Sequence, residues 1–205
     1  AISQRGLRIG PDMDYAHGPF HDLTDPKIEA LVRKWIVSGR LWCLWFGTPC
    51  TWKSRARTTG APDAHNMKQG EACARATIRL IECAHRHGVH YVIENPKSSG
   101  LWTWPPMHRC LRRTRAVCIS RPFRSDGTSY QKYTSLCGTL PNLCTLHDTC
   151  HCTLPHEHLQ GLALMPQPGS KPKWVWKTTL AGRYSLALCR RVANLLAPCA
   201  PHGGL

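Results

Sequence analysis

The stretch Leu41–Phe46, LWCLWF, is short, apolar and unbroken, and it stops at Gly47-Thr48-Pro49 with a cysteine at position 50. A run of that length and continuity suits a strand covered on both faces, the kind that parallel sheets bury. Asp25-Pro26 begins a helix before it, with Thr24 or Asp25 as cap and Pro26 in the first turn. Ile28, Leu31, Val32, Trp35 and Ile36 share one stripe of that helix, which closes at Gly39. A polar loop over roughly 55–69 leads to a second helix from about Gly70 to His87, with Cys73, Thr77, Leu80 and Ala84 along one side and Gly88 at its end. The stretch VHYVIENP, 89–96, reads as the next buried strand, and a short strand toward Ile9 precedes the first helix. Strand–helix–strand–helix–strand predicts an α/β chain with a parallel sheet, right-handed crossovers and ligands beyond the carboxyl ends of the strands. Pro49-Cys50 and Glu94-Asn95-Pro96 both fall at those ends.

The remaining chain is less regular. Arginines cluster over 109–124, and 125–182 is rich in Gly, Pro, Cys and His with little periodicity. RYSLALCRRVANLLA, 183–197, then reads as a closing helix with Tyr184, Leu188, Val192 and Leu195 inward. The expected organisation is a core over 1–124, an irregular Cys/His-rich lobe over 125–182, and a closing helix and tail over 183–205. The first residue is alanine, so the chain is expected to be processed or to be a fragment. No apolar run is long enough to span a bilayer, and no membrane partner is expected.

With 27 Lys+Arg against 12 Asp+Glu, the chain carries a net charge of +15. Such an excess favours a polyanionic partner, most simply nucleic acid; the plainer alternative is a solubilising basic surface. The 12 cysteines could suggest disulfides. The chain is longer than a disulfide scaffold, shows no secretory signal, and places Cys73 and Cys83 within apparent helices. Mostly free thiols in a reducing, intracellular compartment are therefore expected, with the nucleus as the site in a eukaryote.

A nucleophilic thiol needs a lowered pKa. Lys53, Arg55 and Arg57, together with the N-terminus of a following helix, would supply one for Cys50. A tyrosine-phosphatase-type loop is excluded, because the sixth residue after Cys50 is Ala56 rather than arginine. Thiol hydrolysis needs a histidine base, and none of the 12 histidines lies in a recognisable setting. Glu94 directly after an apolar strand is costly unless it has a partner or a task. It is either a loop-bracing carboxylate or an acid near Cys50. One thiol and one carboxyl group on adjacent strand ends suit addition to a heteroaromatic ring, with the sulfur attacking carbon and the acid serving a ring nitrogen.

GTPCTWKSRA and VIENP, with a helix and a strand between them, resemble the proline–cysteine loop and the Glu-Asn strand end of the cytosine-C5 DNA methyltransferases, and of their divergent relatives in protist genomes and mobile elements. The resemblance implies a Rossmann-like methyltransferase sheet and methyl transfer from S-adenosylmethionine to cytosine C5. In that scheme Cys50 adds to C6, Glu94 assists at N3, Asn95 shapes the loop and Pro49 sets its geometry. DNA is favoured over RNA, and the target base is flipped out of the duplex. GLRIGPDMDYAHGPFHDL is similar to the family's second strand and the loop beyond it, which assigns Asp14 (or Asp12) to the cofactor ribose and Asp22 to the adenine. The family's glycine-rich cofactor motif has no counterpart before Ile9, so the first strand of the sheet is expected to be missing. Near Gln131 the family carries Gln-x-Arg-x-Arg; here Tyr133 and Ser135 stand at the arginine positions, with Lys132 as a substitute cation. The alternative is a non-catalytic nucleic-acid-binding protein that keeps the scaffold.

Cys144, Cys150, Cys152, His156 and His158 crowd a loop-rich span, a ligand set that zinc would suit, although the spacing lacks the paired C-x2-C form. The other reading is a region merely rich in these residues. Ser54, Arg55, Arg57, Lys132, Arg112 and Arg113 are the candidates for contacting nucleic acid, and Trp174 and Trp176 for stacking on bases. A solvated basic face and core tryptophans are the alternatives. A monomer is expected.

Overall fold

The computed structural model describes residues 3–14, 17–50, 63–124, 131–146, 156–157, 159, 161–167, 169–177 and 184–200. Four strands form the main sheet: β1 (Cys43–Phe46), β2 (His90–Pro96), β3 (Val117–Arg124) and β4 (Gln131–Gly138). Their spatial order is β1-β2-β4-β3. β1 and β2 run parallel, with Phe46 opposite Ile93, whereas β4 is antiparallel to both β2 and β3. The sheet is therefore mixed, not wholly parallel as expected. β4 is the second arm of a hairpin, so it returns against β3 and wedges between β3 and β2. The central sheet thus takes a strand from beyond the boundary expected at 124.

Helix α1 (Pro26–Val37) is capped by the Asp25 side chain, which accepts from the Lys27 N–H. α2 (Ala64–Arg86) starts earlier than expected, because Asp63 caps it by accepting from the His65 N–H. α3 (Pro105–Arg113) connects β2 to β3, and α4 (Leu186–Leu196) closes the fold with Ser185 as its cap. Tyr91, Ile93 and Cys137 face α1–α3 in one core cluster; Val92, Ile119 and Leu136 face α4 in a second. β2 is buried on both sides, which is why its sequence reads as a continuous apolar run. Gly138 is required where β4 meets β2: a Cβ there would lie 2.0 Å from the Tyr91 carbonyl oxygen.

The start of the chain departs from expectation. Ser3–Arg5 is a 3-10 turn, and residues 7–14 form no strand; Leu7 packs instead against the second cluster. β1 is consequently an edge strand. β5 (Leu162–Gln167) and β6 (Ser170–Trp176) form a separate two-stranded antiparallel sheet. Cys118 and Cys137, opposite each other on β3 and β4, form a disulfide that the reading of the cysteines did not anticipate. Seven further cysteines among the described residues, Cys50 included, are free. Among the described residues, no helix is long and apolar enough to cross a membrane.

Candidate active site

The parallel register of β1 and β2 brings their carboxyl ends together, and the two chemical signals of the sequence with them. Asn95 is 1% exposed and its amide donates to the Thr48 carbonyl at 2.6 Å, tying the Gly47–Cys50 turn to β2. The Thr48 hydroxyl lies 3.4 Å from that of Thr77 on α2, a second tether on the same turn. The Asn95 Oδ1 is buried and finds no donor among the described residues.

Glu94 projects from the other face of β2. Its Oε1 accepts from the Lys132 ammonium at 3.1 Å and from the Tyr184 hydroxyl. That hydroxyl also receives Lys132 Nζ at 3.4 Å and lies 3.2 Å from the Thr134 hydroxyl, while Lys132 sits 5.0 Å from the Tyr184 ring centroid. Burial, then the negative charge of Glu94 and the bond to it, raise the Tyr184 phenol well above its ordinary range. It stays a neutral donor. The side chains of Glu94 and Lys132 are 14% and 22% exposed, so their attraction is only partly screened.

Cys50 is half-buried beside this group. Burial raises its thiol, the Lys132 charge lowers it, and the Glu94 charge raises it. Sulfur, carboxylate and ammonium therefore form one electrostatic group. The direction differs from the lowered thiol expected from the sequence. The cations expected to lower it, Lys53, Arg55 and Arg57, lie outside the described residues together with Ser54, and desolvation dominates for those described.

A cavity of about 990 Å³ opens beside the same turn. Its wall includes β1 along its free edge, Pro49, Tyr184, Leu188 of α4, and Trp35, Trp42 and Trp45. Asp12, Asp14 and Asp22 all line it, so three residues predicted to bind cofactor share one cavity with the residue preceding Cys50. One Asp22 oxygen accepts from both the backbone and the hydroxyl of Thr24, at 2.8 and 2.7 Å, and Asp12 lies 3.8 Å from His17. Cys73 on the wall is pushed up to about 11 by burial, with a further contribution from the Asp22 charge. In a chain of net charge +15, Arg8 is the only Arg or Lys among the described residues that line it.

Other candidates fall elsewhere. Arg112 and Arg113 end α3 at the amino edge of the sheet, opposite Cys50. There Thr114 meets the Tyr91 hydroxyl at the start of β2, and Arg113 pairs with Glu82. Lys132 stands inside the Glu94 group rather than on an open surface. Cys144 is exposed; His156 is half-buried; Cys150, Cys152 and His158 lie outside the described residues. Among the described residues no cluster of three or more His, Cys, Asp and Glu could hold a metal. Trp174 on β6 is 63% exposed, and nothing is described of the Trp176 side chain. Tyr184 is the functional candidate that the sequence hid, because it reads as one more apolar position on the closing helix stripe.

Compared with family models, curated proteins and solved structures, the chain has no match.

Proposed function

We propose that this chain transfers a methyl group from S-adenosylmethionine to carbon 5 of cytosine in nucleic acid, with Cys50 as nucleophile and Glu94 as acid. The observation that carries the reading is the parallel register of β1 and β2, which brings the Gly47–Cys50 turn, tied to β2 by the Asn95–Thr48 bond, to the sheet end that holds the Glu94–Lys132 pair. The cavity supports it further. Its volume lies within the range of small-molecule sites, and its aspartates and tryptophans suit a cationic ligand with an aromatic base and ribose hydroxyls.

When bound, S-adenosylmethionine supplies an electrophilic methyl group. The residues of the chain then have separable tasks. Cys50 loses its proton and its sulfur bonds to C6, while Glu94 gives a proton to N3. This would place an electron pair on C5, which would take the methyl group as the sulfonium donor leaves as a neutral thioether; loss of the C5 proton to solvent, return of the N3 proton to Glu94 and departure of the sulfur from C6 as thiolate would restore the ring. Tyr184 and Lys132 both bind Oε1, which leaves Oε2 as the oxygen for the base.

Methyl incorporation into a cytosine-containing duplex tests the reading. Wild-type incorporation that vanishes in Cys50→Ser is the expected result, and incorporation that survives the substitution removes the mechanism. Glu94→Gln should slow transfer strongly and leave nucleic-acid binding in place. The second reading, a nucleic-acid-binding protein without catalysis, is favoured by the raised thiol of Cys50. Salt-dependent binding with no cofactor uptake in calorimetry would select it.

A further inference from the structure

The carboxyl edge of the sheet carries a second chemical feature on the face opposite Glu94. Side chains alternate along β4, so Lys132 and Thr134 point toward Tyr184 while Tyr133 points away. Tyr133 is 54% exposed, one place from the partly buried ion pair of Lys132 and Glu94. The Lys97 N–H donates to the Tyr133 carbonyl at 2.9 Å, which extends the β2–β4 ladder by one bond. The Lys97 ammonium lies 5.7 Å from the Tyr133 ring centroid. The pair is held in place from behind. Ser99 closes a turn onto Pro96 at 2.9 Å, and the Trp102 indole donates to the same Pro96 carbonyl at 2.8 Å.

Charge selects the occupant. The carboxylate at this edge, Glu94, is neutralised by Lys132 on the other face, and the cation on the Tyr133 face is Lys97. A planar ring with open surface and a lysine beside it, with no free acid next to it among the described residues, match a nucleotide: the base stacks, and the ammonium meets the phosphate.

We propose that Tyr133 and Lys97 form a stacking platform for the nucleotide next to the target base, so that the strand runs across the carboxyl edge from one face of the sheet to the other. The proposal rests on the nucleic-acid substrate of the reading above and adds where a neighbouring nucleotide sits.

The test is fluorescence anisotropy of a labelled single-stranded deoxyoligonucleotide of mixed sequence, titrated with the full chain over a range of salt. Tyr133→Ala should weaken binding about tenfold, and Tyr133→Phe, which keeps the π-face, should bind close to wild type. Lys97→Gln should weaken binding and reduce the slope of log affinity against log salt by about 0.7. Wild-type affinity in Tyr133→Ala, an unchanged salt slope in Lys97→Gln, or no binding by the wild type would overturn the platform. Failure of the enzymatic reading is separable: binding that depends on Tyr133 without methyl incorporation ends that reading and keeps the platform.

Discussion

Replacing Glu94 by Gln removes one charge from the Cys50 group and keeps an oxygen that can accept from Tyr184. Glu94 is one of the groups that raise the Cys50 thiol, and Lys132 is the cation that lowers it. In Glu94→Gln the first influence disappears and Lys132 loses its ion-pair partner, so both changes push the thiol down. A neighbouring charge at a half-buried group in a medium of intermediate dielectric is worth on the order of 1 kcal/mol. Below the thiol midpoint, that is about a fivefold change in the thiolate population. Because the thiol is raised, neutral pH lies on this steep limb, where alkylation follows the thiolate fraction. Iodoacetamide labelling near pH 7.5, resolved by mass spectrometry to the peptide that holds Cys50, should therefore run several-fold faster in Glu94→Gln. In Lys132→Met it should run slower by a similar factor. Equal rates in all three proteins, or the opposite order, would mean that the sulfur does not sense these charges, and the site would fall with the result.

Two further predictions concern the scaffold. Glu29 on α1 is 8% exposed and receives Arg79 of α2 and Arg33. The bond from Arg79 holds its carboxyl below the usual range, with Arg33 adding to the effect and burial opposing it. A depressed carboxyl stabilises the fold above its unfolded value, about 4.3, and that contribution is lost as pH falls through the folded value. Both arginines keep substantial contact with water, so Glu29→Gln should cost about 1–2 kcal/mol in a urea melt at neutral pH, and the gap to wild type should close in acid. Gly138→Ala would drive a methyl group into the Tyr91 backbone, so it should lower stability by about 3 kcal/mol or more, read as a fall in Tm. A melt matching wild type would mean that β4 does not pair with β2 in this register.

Much of the site is written locally in the sequence. Cys43–Phe46 and His90–Pro96 are strands because short apolar runs with β-branched and aromatic residues suit a sheet, but only β2 is buried on both faces as expected: β1 is an edge strand with Trp45 42% exposed. Gly47–Pro49 and Pro96 stop them, so Cys50 and Glu94 had to emerge at strand ends once the strands paired in parallel. β3 and β4 carried no such signal. Pro122 lies within β3, which tolerates it as an edge strand, and the polar Thr134 and Ser135 of β4 read as loop. Both are in fact buried, and each is satisfied by a distant partner: Thr134 by Tyr184 and Ser135 by Ser120 at 2.6 Å.

The residues by themselves therefore determined which two strands carry the chemistry and at which end. The tertiary structure decided what surrounds it: Lys132 and Tyr184 reach Glu94 from 38 and 90 positions away in the chain. It also decided the state of the Cys50 thiol, which follows desolvation rather than the cations adjacent in sequence. The physical reason is that strand periodicity and turn chemistry act between near neighbours. Burial and charge pairing depend on which surfaces meet, and for β4 and the residues before α4 that is settled only when the hairpin and the closing helix pack on the sheet.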